Sequence, residues 1–231
     1  MSRKKGTQPP AQLPLDLELA PRYGEEDFLV GPSNERAYEF VGLWPDWPDR
    51  LVLVTGPEGS GKTHLAHIWA ARTGAAIVPA ARLGDKTPAA LVEAPALVVE
   101  DCDRARWDEA HLFHLINLVR GHGTSLLLTA RAAPDQWGLS TPDLISRLRL
   151  APDTGIDAPD DALLRALMVK LFVDRQLIVD LSVVEFLLPR IERSFAGVAR
   201  IVGALDREAL ALGRRITRPV AAAVLERMTA A

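Results

Sequence analysis

The stretch that most constrains this chain is Gly56-Pro57-Glu58-Gly59-Ser60-Gly61-Lys62-Thr63. Its glycines let the backbone curl until successive N–H groups point at one spot. An apolar run, Leu51-Val52-Leu53-Val54-Thr55, leads in, and a helix-compatible run from His64 to Arg72 leads out. Strand, glycine-rich loop and helix in that order make the phosphate-binding arrangement G-x-x-x-x-G-K-[ST]. The helix that follows adds the positive end of its dipole to the same spot. Lys62 then has the reach for β- and γ-phosphate oxygens, and the Thr63 hydroxyl can ligate Mg²⁺. The competing reading is an ordinary glycine turn before a helix, and the flanking strand and helix argue against it.

A chain of 231 residues with 48% apolar residues has material for one large domain or two small ones. Its net charge of −3 advertises no global basic surface for nucleic acid. One cysteine, Cys102, excludes an intramolecular disulfide and fits a reducing, cytoplasmic setting. It follows an apolar run and reads as a small buried hydrophobe. No apolar stretch is long enough to span a bilayer, so no membrane partner is expected. The basic start, Met1 to Pro10, lacks the apolar core of a signal peptide. The histidines His64/His67 and His111/His114 are three apart, but no third ligand accompanies them, so surface or core roles are expected.

Residues 1–21 are rich in proline, glutamine and lysine and read as a disordered tail. Within it, Gln12-Leu13-Pro14-Leu15-Asp16-Leu17 sets three leucines on one side of an extended strand, and Pro14 forbids a regular helix. They suit either a peptide docking in another protein's apolar groove or packing on the chain's own domain. Ser33 or Asn34 can cap a helix to about Leu43. Trp44 and Trp47 can then form a contact patch or a lid over the core edge. Strands are expected at Ala75 to Pro79, Ala96 to Asp101 and Ser125 to Thr129, with helices at Thr87 to Glu93, Trp107 to Arg120 and Pro142 to Leu148. Alternating strands and helices predict an α/β, doubly wound parallel sheet core over 22–155, with Pro152 to Pro159 as a boundary. Beyond it, apolar residues recur at helical spacing in Asp160 to Arg175, Ser182 to Arg190 and Ser194 to Leu212, and Thr217 caps a last helix. Residues 156–231 therefore read as a helical lid. Glu100 and Asp101 end a buried strand, where open α/β sheets gather their chemistry. They suit one acid near Mg²⁺ and one near an attacking water.

This layout resembles that of the AAA+ proteins, and more specifically the DnaA-related group that includes the regulatory inactivator (Hda) family. Phe28-Leu29-Val30-Gly31-Pro32-Ser33-Asn34 is similar to the segment beside the adenine. Gly56 to Thr63 resembles Walker A, Ala96 to Asp103 Walker B, and Leu126-Leu127-Leu128-Thr129 the sensor 1 strand. Pro142-Asp143-Leu144-Ile145-Ser146-Arg147-Leu148 resembles the segment that bears the arginine finger, and Gln12 to Leu17 the sliding-clamp-binding peptide. The resemblance implies ADP or ATP with Mg²⁺ as ligands. It implies nucleotide contacts from Val30, Gly56, Pro57, Glu58, Gly59, Ser60, Gly61, Lys62, Thr63 and His64, and metal contacts from Thr63 and Glu100. It implies catalytic roles for Asp101, Thr129 and Arg147, the last acting in trans with Arg149 as fallback. Gln12, Leu13, Leu15 and Leu17 would bind the clamp. The implied partners are the DNA polymerase III sliding clamp, DnaA and, as a homo-oligomer, a second copy. DnaA carries a helix-turn-helix after its lid, whereas only Thr229-Ala230-Ala231 follow the last helix here, so sequence-specific DNA binding of that kind is not expected.

Two departures stand out. The acidic pair is Glu-Asp, whereas many AAA+ ATPases have Asp-Glu, which points to slow hydrolysis of the chain's own nucleotide. The family's sensor 2 arginine falls on Ala196, with Arg193 and Arg200 at other helical angles. Both departures point to nucleotide held as a structural ligand, in the form of ADP. The readings are then a clamp-bound stimulator of DnaA's ATPase, an autonomous ATPase of the helicase-loader (DnaC) type, and a nucleotide-binding scaffold without a finger.

Overall fold

The computed structural model describes residues 23–104, 107–213 and 215–230. Five strands form one sheet: β1 (Leu51–Thr55), β2 (Ala76–Pro79), β3 (Ala96–Glu100), β4 (Ser125–Ala130) and β5 (Asp153–Gly155). Their spatial order is β2-β3-β4-β1-β5 and every pairing is parallel. Among the described residues, five helices surround the sheet: α1 (Glu35–Gly42), α2 (Lys62–Thr73), α3 (Pro88–Leu91), α4 (Glu109–His122) and α5 (Pro142–Leu150). Four more follow: α6 (Asp161–Asp174), α7 (Leu181–Leu187), α8 (Phe195–Leu212) and α9 (Arg218–Ala230).

The period of two along each strand divides the core into two faces. Leu51, Leu53, Leu97, Val99, Leu126 and Leu128 point to one side, where Leu112, Leu115, Ile116 and Val119 of α4 and Leu144 and Leu148 of α5 cover them. Val54, Val98 and Leu127 point to the other, beneath Leu65, Ile68 and Trp69 of α2 and Val41 of α1. Burial on both faces is why these strands read as unbroken apolar runs. Trp47 stacks on buried Trp69 with centroids 4.9 Å apart, and Trp44 meets it edge-on at 6.4 Å. Trp44 Nε1 also donates to Ser125 Oγ (3.0 Å), so the pair closes the core edge.

Three local details differ from the sequence reading. Residues 153–155, read as part of a boundary loop, form β5 and pair with β1 (Leu53 with Asp153, Thr55 with Gly155). Only Thr154 of the three is buried, so no apolar run marks the strand. Asn34 sits at the N-cap of α1 but does not cap it with its side chain. Instead Asn34 Oδ1 accepts from Gly31 N (2.8 Å) and Nδ2 donates to Leu29 O (2.9 Å), which rigidifies the loop at residues 29–34. The β3 strand stops at Glu100 because Asp101 turns into left-handed backbone (φ 57°).

Helices α6 to α9 build a separate core from Leu164, Met168, Phe172, Val184, Leu187, Ile201, Val202 and Leu205. Asp160, Asp180 and Ser194 cap α6, α7 and α8 by accepting from backbone N–H groups. No described helix is long and apolar enough to cross a membrane.

Candidate functional site

Parallel strands deliver their C-terminal ends to one edge, and the Walker-type residues gather there. The loop after β1 has Gly56, Gly59 and Gly61 at φ 153°, 70° and 102°. Two of these positions leave no room for a methyl group. A Cβ on Gly56 would lie 2.2 Å from the Ile156 carbonyl oxygen. One on Gly59 would lie 2.7 Å from Ser194 Cβ. Gly59→Ala therefore combines left-handed strain with a clash against the first turn of α8, and a loss of about 1–3 kcal/mol is expected. Urea unfolding checks this; a variant as stable as the parent would mean that α8 does not bear on the loop.

Lys62 is buried (7% exposed) and its Nζ donates to the Gly56 and Pro57 carbonyl oxygens, both at 2.7 Å. Burial lowers its pKa, and the nearby Asp101 carboxylate works in the opposite direction. The Glu100 carboxylate lies beside Thr63, and burial raises its pKa above its ordinary value. Ser60 Oγ and Glu100 Oε1 are buried with no protein partner. A buried polar atom without a partner costs about 1–3 kcal/mol, so this pair of orphans and the glycine cradle fit a phosphate chain with a metal ion beside it. When bound, the metal would supply charge neutralisation between phosphate oxygens. Thr63 and Glu100 are the residues that would hold it. Among the described residues no cluster of three His, Cys, Asp or Glu side chains forms a metal site without such a ligand.

Thr129 is buried on β4 and ties the neighbouring strand end to itself: its Oγ1 accepts from Asp101 N (3.1 Å) and its carbonyl from Cys102 N (2.9 Å). Asp101 turns out of the strand there, and its carboxylate favours the charged form of Lys62. Two arginines not singled out from the sequence join the rim. Arg131 Nε donates to Asp103 Oδ2 (2.9 Å), and both Arg104 and Arg131 pair with Glu58 of the loop. Their signal was position alone, each standing just past a strand's C-terminal end.

His64 Nε2 donates to the Gly24 carbonyl oxygen (2.8 Å), and its ring meets Phe28 edge-on at 5.1 Å. Burial lowers its pKa. The residue thus anchors the segment that carries Val30, which stays 46% exposed. The same segment is held from the helical side by a Lys170–Asp27 ion pair and by Leu163 against Gly31. Helix α8 closes the arrangement, with Phe195 N donating to Gly59 O (3.1 Å). Ala196 lies over Gly59, while Arg193 pairs with Asp161 and Arg200 with Glu192.

Arg147 lies elsewhere, half-buried on α5, its guanidinium 4.8 Å above the Phe113 ring of α4. It makes no ion pair among the described residues, unlike Arg149, whose Nε donates to Asp135 Oδ1 (2.7 Å). The sequence-predicted clamp residues Gln12, Leu13, Leu15 and Leu17 lie outside the described residues.

No protein-family model matches the sequence, and no curated protein matches it. Solved structures do match in three dimensions. Domain III of the Thermotoga maritima replication initiation protein DnaA superposes with a TM-score of 0.77 at 17% identity, covering 90% of this chain and 98% of that one. AMPPCP-bound DnaA from Aquifex aeolicus gives 0.68 at 18% identity, covering 85% of this chain and 69% of that one. A point mutant of Thermotoga maritima RuvB gives 0.68 at 17%, covering 85% of this chain and 69% of that one. A parallel five-stranded sheet, a phosphate-type loop after β1 and a helical subdomain seated on that loop give this chain the α/β fold seen in DnaA domain III and RuvB.

Proposed function

We propose that the chain is a nucleotide-binding regulator of replication initiation. It docks on the DNA-loaded sliding clamp through Gln12 to Leu17 and uses Arg147 in trans to stimulate ATP hydrolysis by DnaA. The observation that carries this reading is the state of Arg147: a guanidinium on a short surface helix, steadied by an aromatic face and not neutralised by any described carboxylate. A structural arginine on the same helix is Arg149, and it has its acid. An arginine offered to a neighbour's γ-phosphate offsets the charge that builds as the terminal phosphoryl group passes to water, and such fingers are worth about 10³–10⁵ in rate.

On this reading the chain's own nucleotide, ADP or ATP with Mg²⁺, serves to hold α8 against the loop. Lys62 and the loop amides bind phosphate, Thr63 and Glu100 the metal, and the segment around Val30 the base. The helical side offers only Ala196 where a γ-phosphate sensor would need a cation. That supports slow turnover by the chain itself and disfavours an autonomous motor.

The test is DnaA-ATP turnover with clamp loaded on DNA, with and without this protein. Stimulation that needs both clamp and protein is expected. Deleting residues 1–20 is expected to lower it to the level seen without clamp, at least about tenfold, because tethering raises effective concentration into the millimolar range. Full stimulation by the truncated chain would remove the clamp from the account.

A further inference from the structure

The joint between α4 and α5 is built more firmly than a helix of nine residues requires. Glu109, the first residue of α4, reaches across to the turn before α5. Its Oε1 accepts from Ser140 N (2.8 Å) and Ser140 Oγ (3.0 Å), and its Oε2 from Thr141 N (2.7 Å). Hydrogen bonding from Thr141 and Ser140 holds the Glu109 carboxyl down at about 2. Thr141 occupies the N-cap of α5 yet makes no cap bond of its own, so an acid from another helix serves the end instead. That acid also sits in the first turn of α4, and negative charge is favoured at both helix starts.

Two more contacts continue the same line. Upstream, Trp107 and Trp137 meet edge-to-face at 6.5 Å. One turn down α4 from Glu109, Phe113 carries the Arg147 guanidinium. Residues 107, 109 and 113 thus meet residues 137, 140–141 and 147 in register. We infer that Glu109 and Phe113 are positioning residues for Arg147: the carboxylate fixes where α5 begins and the ring fixes where its guanidinium rests. This rests on the reading of Arg147 given above. Its physical basis is that a positioned cation acts only within a narrow range, and a displacement of about 1 Å can cost about 10²-fold in rate.

The test measures clamp-dependent DnaA-ATP turnover against the concentration of full-length protein, reading maximal rate and half-saturating concentration separately. Arg147→Ala serves as the reference. Glu109→Ala is expected to lower the maximal rate about 10–100-fold, with half-saturation and the protein's own nucleotide affinity within about twofold of the parent. Glu109→Gln keeps one acceptor oxygen and is expected to recover part of the loss. Phe113→Leu keeps bulk without a π face and is expected to act in the same direction, and it decides the matter if Glu109→Ala does not fold. A carboxylate that only stabilised α5 would change the melting temperature and leave the maximal rate alone. Full maximal rates in Glu109→Ala and Phe113→Leu, beside a dead Arg147→Ala, overturn the positioning role. Full activity in Arg147→Ala overturns the parent reading instead.

Discussion

Under the proposed function, replacing Arg147 with alanine is expected to lower the maximal rate of stimulated DnaA-ATP hydrolysis by about 10³-fold or more. The fold should tolerate the change. Arg147 makes no ion pair among the described residues, and its contact with Phe113 is a surface cation–π pair worth about 0.5–1 kcal/mol. A small loss of stability beside a large loss of rate is the signature of a residue whose work is done on another molecule. Arg147→Lys keeps the charge but loses the planar fork, so it should recover only part of the rate. Arg149→Ala is the control. Its pair with Asp135 is solvent-exposed, and such pairs contribute about 0–1 kcal/mol. The two arginines lie on one helix two residues apart, so they face different directions. If Arg149→Ala abolishes stimulation and Arg147→Ala does not, the finger has been assigned to the wrong side chain. If neither matters, the trans mechanism fails.

What the sequence made legible, and what it did not, follows from the range of the interactions. β1, β3 and β4 could be read because burial on both faces demands consecutive apolar residues, as in Ala96-Leu97-Val98-Val99. The phosphate-type loop could be read because glycine spacing is a local geometric requirement. β5 could not, since Asp153-Thr154-Gly155 joins the sheet through backbone pairing and one buried hydroxyl. Asn34 was legible as a cap by type, but tertiary packing gave its amide to the preceding loop. Glu109 was invisible for a different reason. Its partners stand 31 and 32 residues away, and a lone acid near a helix start looks like ordinary dipole complementation. Arg147 lay between the two cases: a resemblance singled out the residue, and only the fold showed that it rests on Phe113 and lacks a described acid.

Nucleotide binding should be visible as heat stability, and Lys62→Ala should erase it. A ligand that binds only the folded chain stabilises it by RT ln(1 + [L]/Kd), about 2.7 kcal/mol at one hundred times Kd. For a chain of this size each kcal/mol moves Tm by about 2–4 °C, so the parent should gain roughly 5–10 °C. If the lysine contributes about a hundredfold to affinity, the variant at the same concentration gains about 0.4 kcal/mol, near 1 °C. The quantity to compare is the increment, not the starting Tm. Lys62 is a buried cation that bonds the Gly56 and Pro57 carbonyls, so its removal shifts the baseline through desolvation and hydrogen bonding alike. ADP and ATP should give the parent similar increments. The reason lies in α8: its N–H from Phe195 already holds Gly59, Ala196 brings no cation, and Arg193 and Arg200 are each engaged by a carboxylate. A γ-phosphate thus finds no extra partner on the helical side. An increment seen with ATP and Mg²⁺ but not with ADP would mean that one of those arginines changes partner and that the lid senses the third phosphate. Fast release of phosphate by the isolated chain would go further and favour the autonomous ATPase. An unchanged increment in Lys62→Ala would remove the lysine from the site altogether.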